Sequence, residues 1–214
     1  TKMGVWISGF FGSGKSHLLK ILSYILDNEI IGSKHAIDYF LDDKKISDPM
    51  VLADMQLAAN TPADIIIFNI DAKSEADGKS NKDAIVNVFL KVFNNSLGFC
   101  GAIPYLADLE RKLTEDGKYE EFKETYKKVT GHDWYSERHE FLSRQDGVVD
   151  ALIEMGYMSE KAAWNWCDAA IGDYQISIED FAKRVKSYID RKGNNHHVVF
   201  LVDEIGQYIG DDSK

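Results

Sequence analysis

The stretch "GFFGSGKS", Gly9 to Ser16, decides how this chain is read. It satisfies the pattern G-x-x-x-x-G-K-[ST] at every position. Gly9, Gly12 and Gly14 allow backbone angles and a close approach that a Cβ would block. The N–H groups of the loop, through Phe10, Phe11 and Ser13, then turn inward around phosphates. The helix that follows adds about half a positive charge at its N-terminus. In this pattern Lys15 reaches the β- and γ-phosphates as a point charge, and the Ser16 hydroxyl lies on Mg²⁺. His17 closes the phosphate-binding stretch, although as a residue type it reads as an ordinary first-turn helix position.

The flanks fit the same reading. Val5-Trp6-Ile7-Ser8 predicts a short buried strand ahead of the loop. Leu18, Leu19, Ile21, Leu22, Ile25 and Leu26 recur at helical spacing behind it, and Asp27-Asn28 and Gly32 mark the helix end. Strand, loop and helix together make an accidental glycine turn a poor account of the motif.

A second stretch, "VVFLVDE" from Val198 to Glu204, predicts a strand ending in two acids. Alone, such an ending is commonplace. Beside a glycine loop it becomes the second half of a nucleotide site, with Asp203 holding Mg²⁺ through water and Glu204 polarising the attacking water as general base. Lys15 and Glu204 are the catalytic pair of this reading, and Ser16 and Asp203 the metal-holding pair. The adjacent acids favour a hydrolysing ATPase over a P-loop kinase. No Asn-Lys-x-Asp motif occurs in the chain, which disfavours a GTPase. Gln207 lies one helical turn past Asp203 and reads first as a surface residue. Asp71, at the end of another apolar run, reads as structural.

Composition narrows the class. The chain has 214 residues, 44% hydrophobic and 12% aromatic, enough for a packed core. A net charge of −10 argues against a broad nucleic-acid face. Two cysteines, Cys100 and Cys167, form no CxxC pair and suit a reducing compartment. No apolar run approaches the roughly 20 residues of a membrane span, and no signal pattern opens the chain. A cytoplasmic protein is the expectation.

Between the two motifs, Met50 to Ala59 predicts a short helix and "ADIIIFNIDA", Ala63 to Ala72, a second strand buried on both faces. Ala84 to Phe93 returns to helical period. From Gly98 the character changes, and helix follows helix up to Asp190. Tyr119, Phe122, Tyr126 and Val129 share one face, and Val148, Val149, Leu152 and Ile153 another. "EKAAWNWCDAA" and "SIEDFAKRVKSYIDRKG" follow, the latter with Ser177 as N-cap and Gly193 as stop. Trp134, Trp164 and Trp166 read as helical core. His196-His197 lack a third ligand at metal-like spacing and read as a solvated strand start.

Lys15 and Asp203 lie much further apart than two or three βαβ units of roughly 30 residues would place them. The helical stretch is the excess. The domain reading is therefore a nucleotide core over 1–97, a helical insertion over 98–190, and the acidic strand of the core over 191–214. The fold class is α/β, a three-layer P-loop NTPase core of AAA+ or ASCE type with an incomplete sheet and a large all-helical insertion.

The stretches "VWISGFFGSGKSHLLKILSYIL", "IIIFNIDAKS", "GKYEEFKETYKKVTG", "ISIEDFAKRVKSYIDRKG" and "VVFLVDEIGQYIG" together resemble the P-loop ATPase of bacterial BREX phage-resistance systems (BrxC-type). The resemblance spans essentially the whole chain. It implies ATP and Mg²⁺ as cofactors, and a much longer parent protein that forms homo-oligomers. It also implies other BREX proteins, including a DNA methyltransferase, as partners. Gly9 to Ser16 carry over as the phosphate and magnesium residues, and Asp203-Glu204 as those for magnesium and water.

ATPases of this class also use a sensor strand, an arginine from a neighbouring subunit and a helical lid, all expected beyond Lys214. In AAA+-type sheets the sensor strand lies between the loop strand and the acidic strand. The sheet is therefore expected to be incomplete, rearranged or completed by another segment. The competing expectation is a nucleotide-dependent regulatory or scaffolding switch with little hydrolysis.

Overall fold

The computed structural model describes residues 4–44, 46–70, 82–172, 174–193 and 195–206. They form an α/β protein that divides into two compact units. One unit takes the chain up to Asn81 and resumes at Glu179; the other is Lys82–Ile178.

In the first unit, α1 (Lys15–Asp27) follows the glycine loop. It stops at Asn28, whose φ of 47° is left-handed and whose N–H donates to the Tyr24 carbonyl at 2.9 Å. A small antiparallel ribbon follows, β1 (Ile30–Ile31) on β2 (Lys34–His35), and leads into α2 (Ala36–Asp42). The Asp48 carboxylate caps α3 (Pro49–Ala59) by accepting from the Met50 N–H at 2.8 Å, with Pro49 in the first turn. Ile25, Ile37 and Ala59 form the buried centre where α1, α2 and α3 meet.

The sheet of this unit is β3 (Ala63–Asn69) paired in parallel with β4 (His197–Asp203). Their register runs from Ala63 opposite His197 to Asn69 opposite Asp203. Helix α1 packs against both strands. Helix α10 (Ile178–Lys192) is tied to the sheet by Phe181 against Phe200, with ring centroids 6.2 Å apart, and by a Tyr188–Asp64 hydrogen bond of 2.6 Å.

Three expectations change here. Val5 to Ser8 form no strand, and Val5 and Trp6 are largely exposed. A strand exists by its hydrogen-bonded neighbour, and among the described residues β4 pairs with β3 alone. Strand β3 is not buried on both faces either. Ile66 and Phe68 are buried, but Ile67 is 46% exposed, because a two-stranded sheet is only partly covered by its helices. The unit boundaries fall at Lys82 and Glu179 rather than at 98 and 190. Helix α4 (Lys82–Ser96) goes with the helical unit, where Arg111 reaches Asn94 and stacks over Phe93. Helix α10 goes with the strands through the two ties just described.

The helical unit adds α5 (Pro104–Glu115), α6 (Tyr119–Thr130), α7 (Trp134–Glu137), a 3₁₀ turn (Arg138–Ser143), α8 (Gln145–Glu154) and α9 (Glu160–Ala170). Tyr119, Phe122, Tyr126, Val148, Val149 and Leu152 are buried in one core, while Val129 and Trp164 are exposed. At its centre Glu110 is fully buried. It accepts from the Cys100 N–H, from Tyr119 at 2.7 Å, from Trp134 at 2.8 Å and from Arg138 at 3.0 Å. Four donors offset the cost of burying the charge. Among the described residues no helix is long and apolar enough to cross a membrane.

Candidate functional site

Two glycines of the loop hold a backbone that other residues avoid. Gly12 and Gly14 have φ of 76° and 87°, in the left-handed region that a Cβ disfavours. At Gly9 a Cβ would lie 2.7 Å from the Ser13 Oγ. The Ser13 N–H donates to the Phe10 carbonyl at 3.1 Å, which closes a turn, and the Leu18 N–H donates to the Gly14 carbonyl at 2.8 Å, which opens α1. Gly14 is the N-cap and offers no side-chain acceptor, so no side chain caps the first turn of α1 (Lys15, Ser16 and His17). That is the arrangement by which a helix start receives an anion.

Lys15 bends back over the loop. Its Nζ donates to the Gly9 carbonyl at 2.9 Å and to the Phe10 carbonyl at 2.8 Å. The ammonium is thus held against the backbone of the loop. Ser16 and His17 are exposed on the first turn. Phe10 and Phe11, 91% and 101% exposed, stand at the tip and put only their backbone into the loop. The residues present fit a nucleotide phosphate chain: three glycines, one lysine and an open helix start.

The acidic end lies in the same unit. Asp203 closes β4, and its Oδ1 accepts from the Glu204 N–H at 3.0 Å. Glu204 has φ of 61°, unusual for a residue with a Cβ. Its carboxylate accepts a hydrogen bond from Asn69 Nδ2, at the end of β3. The Ile70 N–H continues the ladder to the Asp203 carbonyl at 3.2 Å. Parallel pairing therefore puts Asn69, Asp203 and Glu204 at one carboxyl edge of the sheet.

The structure brings the loop flank to this edge, since a Cβ on Gly206 would lie 3.8 Å from the Trp6 ring. The hydrogen bonds of Lys15 go to the loop itself, and those of Glu204 go to Asp203 and Asn69. Among the described residues there is no cluster of three or more metal-ligating side chains.

Sequence reading missed Asn69. The available signal was a polar residue closing an apolar run. His196 was also misread: it pairs with Asp64 at 2.9 Å and its side chain is only 12% exposed, so it is not a solvated strand start. Gln207 and Asp71 lie outside the described residues. No family model matches the chain, and no solved structure matches it.

Proposed function

We propose that the chain is the ATP·Mg²⁺-binding part of a P-loop ATPase, of AAA+ or ASCE type, with a helical insertion. On the resemblance of its sequence, it belongs to a bacterial BREX anti-phage protein. There ATP hydrolysis drives or gates the assembly or action of a defence complex on DNA, in the cytoplasm. The observation that carries the reading is the loop geometry: Gly12 and Gly14 left-handed, an uncapped α1 start, and Lys15 held across the loop. The carboxyl edge with Asp203 and Glu204 supports it.

In this proposal the backbone of Gly9 to Ser16 grips the phosphates. Lys15 exchanges its two carbonyl partners for phosphate oxygens. Ser16 and Asp203 would hold a Mg²⁺ ion, which would supply charge neutralisation to the transferring phosphoryl group. Glu204 takes the proton of the attacking water, and Asn69 holds the Glu204 carboxylate. An arginine from a neighbouring copy is typically worth 10³ to 10⁵ in rate for such enzymes, so in this proposal turnover depends on assembly.

The testing experiment is single-turnover cleavage of ATP by the longer parent, wild type against Glu204→Gln. A large loss supports hydrolysis. Equal rates would favour the regulatory switch.

A further inference from the structure

At the end of the β3–β4 pair away from Glu204, side chains from three segments meet on one oxygen. Asp64 is the second residue of β3, His196 immediately precedes β4, and Tyr188 is near the C-terminal end of α10. The Tyr188 hydroxyl donates to Asp64 Oδ2 at 2.6 Å, and His196 Nε2 lies 2.9 Å from the same atom. The two rings stand edge to face, 6.3 Å apart. Lys192, one turn on in α10, sits 5.4 Å over the Tyr188 ring. Next to this cluster the His197 N–H donates to the Pro62 carbonyl at 2.9 Å. Burial works against ionisation of Asp64, but the Tyr188 hydroxyl, His196 and Lys192 outweigh it and hold the carboxyl below its usual range.

The position of this cluster matters more than its strength. Burial of Ile66 and Phe68 excludes a slip by one residue, but a slide by two keeps the same face inward and an equivalent set of backbone partners, so the backbone leaves the register open. Side chains must fix it. Strands β3 and β4 are tied across at both ends, by Asp64–His196 at one and Asn69–Glu204 at the other. The two ends are about 17 Å apart, five residues of strand at roughly 3.3 Å each. Helix α10 is the element before β4 in the chain, and its Tyr188 is bonded to the same Asp64 oxygen.

We propose that Asp64, Tyr188 and His196 form a positioning node that sets β4 against β3, and that through it α10 governs where Glu204 stands. Tilting or sliding of α10 displaces Tyr188 and the start of β4 together, and the strand carries that displacement to the acidic edge. The catalytic meaning of the node rests on the ATPase reading; the register-setting does not.

Amide hydrogen exchange on the chain tests it, comparing wild type with Tyr188→Phe and His196→Gln. Tyr188→Phe removes one hydroxyl and keeps the ring, so the fold survives. The reporter is the Ile70 amide, bonded to the Asp203 carbonyl at the far end of the pair. The expected result is exchange about tenfold faster at Ile70 in both variants, with the Leu18 amide of α1 unchanged. Faster exchange confined to the Asp64 end would overturn the proposal. So would an equal loss of protection throughout α1, which would make the node a stabilising contact only. The readout uses no nucleotide, so failure to bind ATP would sink the ATPase reading and leave this test intact. Where the parent hydrolyses ATP, Tyr188→Phe should lower kcat with KM unchanged.

Discussion

The Asn69 amide donates to the Glu204 carboxylate across the ends of two parallel strands, joining residues 135 positions apart in the chain. Glu204 holds a left-handed backbone there, with φ of 61°. A side chain with a Cβ pays a steric cost of about 1 kcal/mol in that conformation, which glycine avoids. Glu204→Gly should therefore be more stable than Glu204→Ala by about 1 kcal/mol, the reverse of the usual order. Paired urea-unfolding curves check this. An Ala variant at least as stable as the Gly variant would mean the backbone is not held as described.

Asn69→Ala should leave nucleotide affinity unchanged and lower single-turnover cleavage in the parent about tenfold, because the carboxylate loses the donor that fixes its direction. The check is a rate and a dissociation constant measured on the same preparation.

Glu110 has four donors aimed at it in the core of the helical unit. Glu110→Ala leaves Arg138 without its buried partner and should cost about 3 to 5 kcal/mol. Trp134, which donates to Glu110, reports the unfolding through its fluorescence. A loss below about 1 kcal/mol would contradict the network's role.

Both thiols are buried and free. Burial, with Asp168 nearby, pushes Cys167 up to about 11, and burial also raises Cys100. Little thiolate exists at pH 8, so neither should react with an alkylating reagent until the helical unit opens. Rapid labelling of the native chain would contradict this.

The pH dependence of the strand unit follows from Asp64, whose carboxyl is lower in the folded chain than in the unfolded one. Its contribution is present above the ordinary carboxylate value near 3.9 and is lost as pH falls through the lower folded value. The stability difference between wild type and Asp64→Asn should be present at pH 5 and should shrink as pH falls below about 4. Urea unfolding at pH 7, 5 and 3 gives the three points needed.

Much of the helical structure was legible because its residues carry a helical period. The apolar stripes of α1, α6 and α8 and the stretch "EKAAWNWCDAA" of α9 are local signals, and the structure has helices at each. What was not legible depends on neighbours. Val5 to Ser8 has strand composition but no paired strand among the described residues. The periods of α4 and α10 say that each has a buried side, not which unit receives it. Asn69 and His196 acquire their roles only when the parallel register sets β4 beside β3. The glycine loop was the reverse case. Its left-handed positions at Gly12 and Gly14 are a property of seven or eight consecutive residues, and sequence suffices to predict them.

In the proposed function the loop grips a nucleotide triphosphate. It is tested by thermal melts of the chain with Mg²⁺ and ATP, ADP or GTP, repeated on Lys15→Ala. At a hundredfold excess over the dissociation constant, bound nucleotide should stabilise the strand unit by about 2.7 kcal/mol, seen as a rise in Tm of several degrees. Lys15→Ala should abolish the rise. No shift of the wild-type chain with any nucleotide would contradict the account.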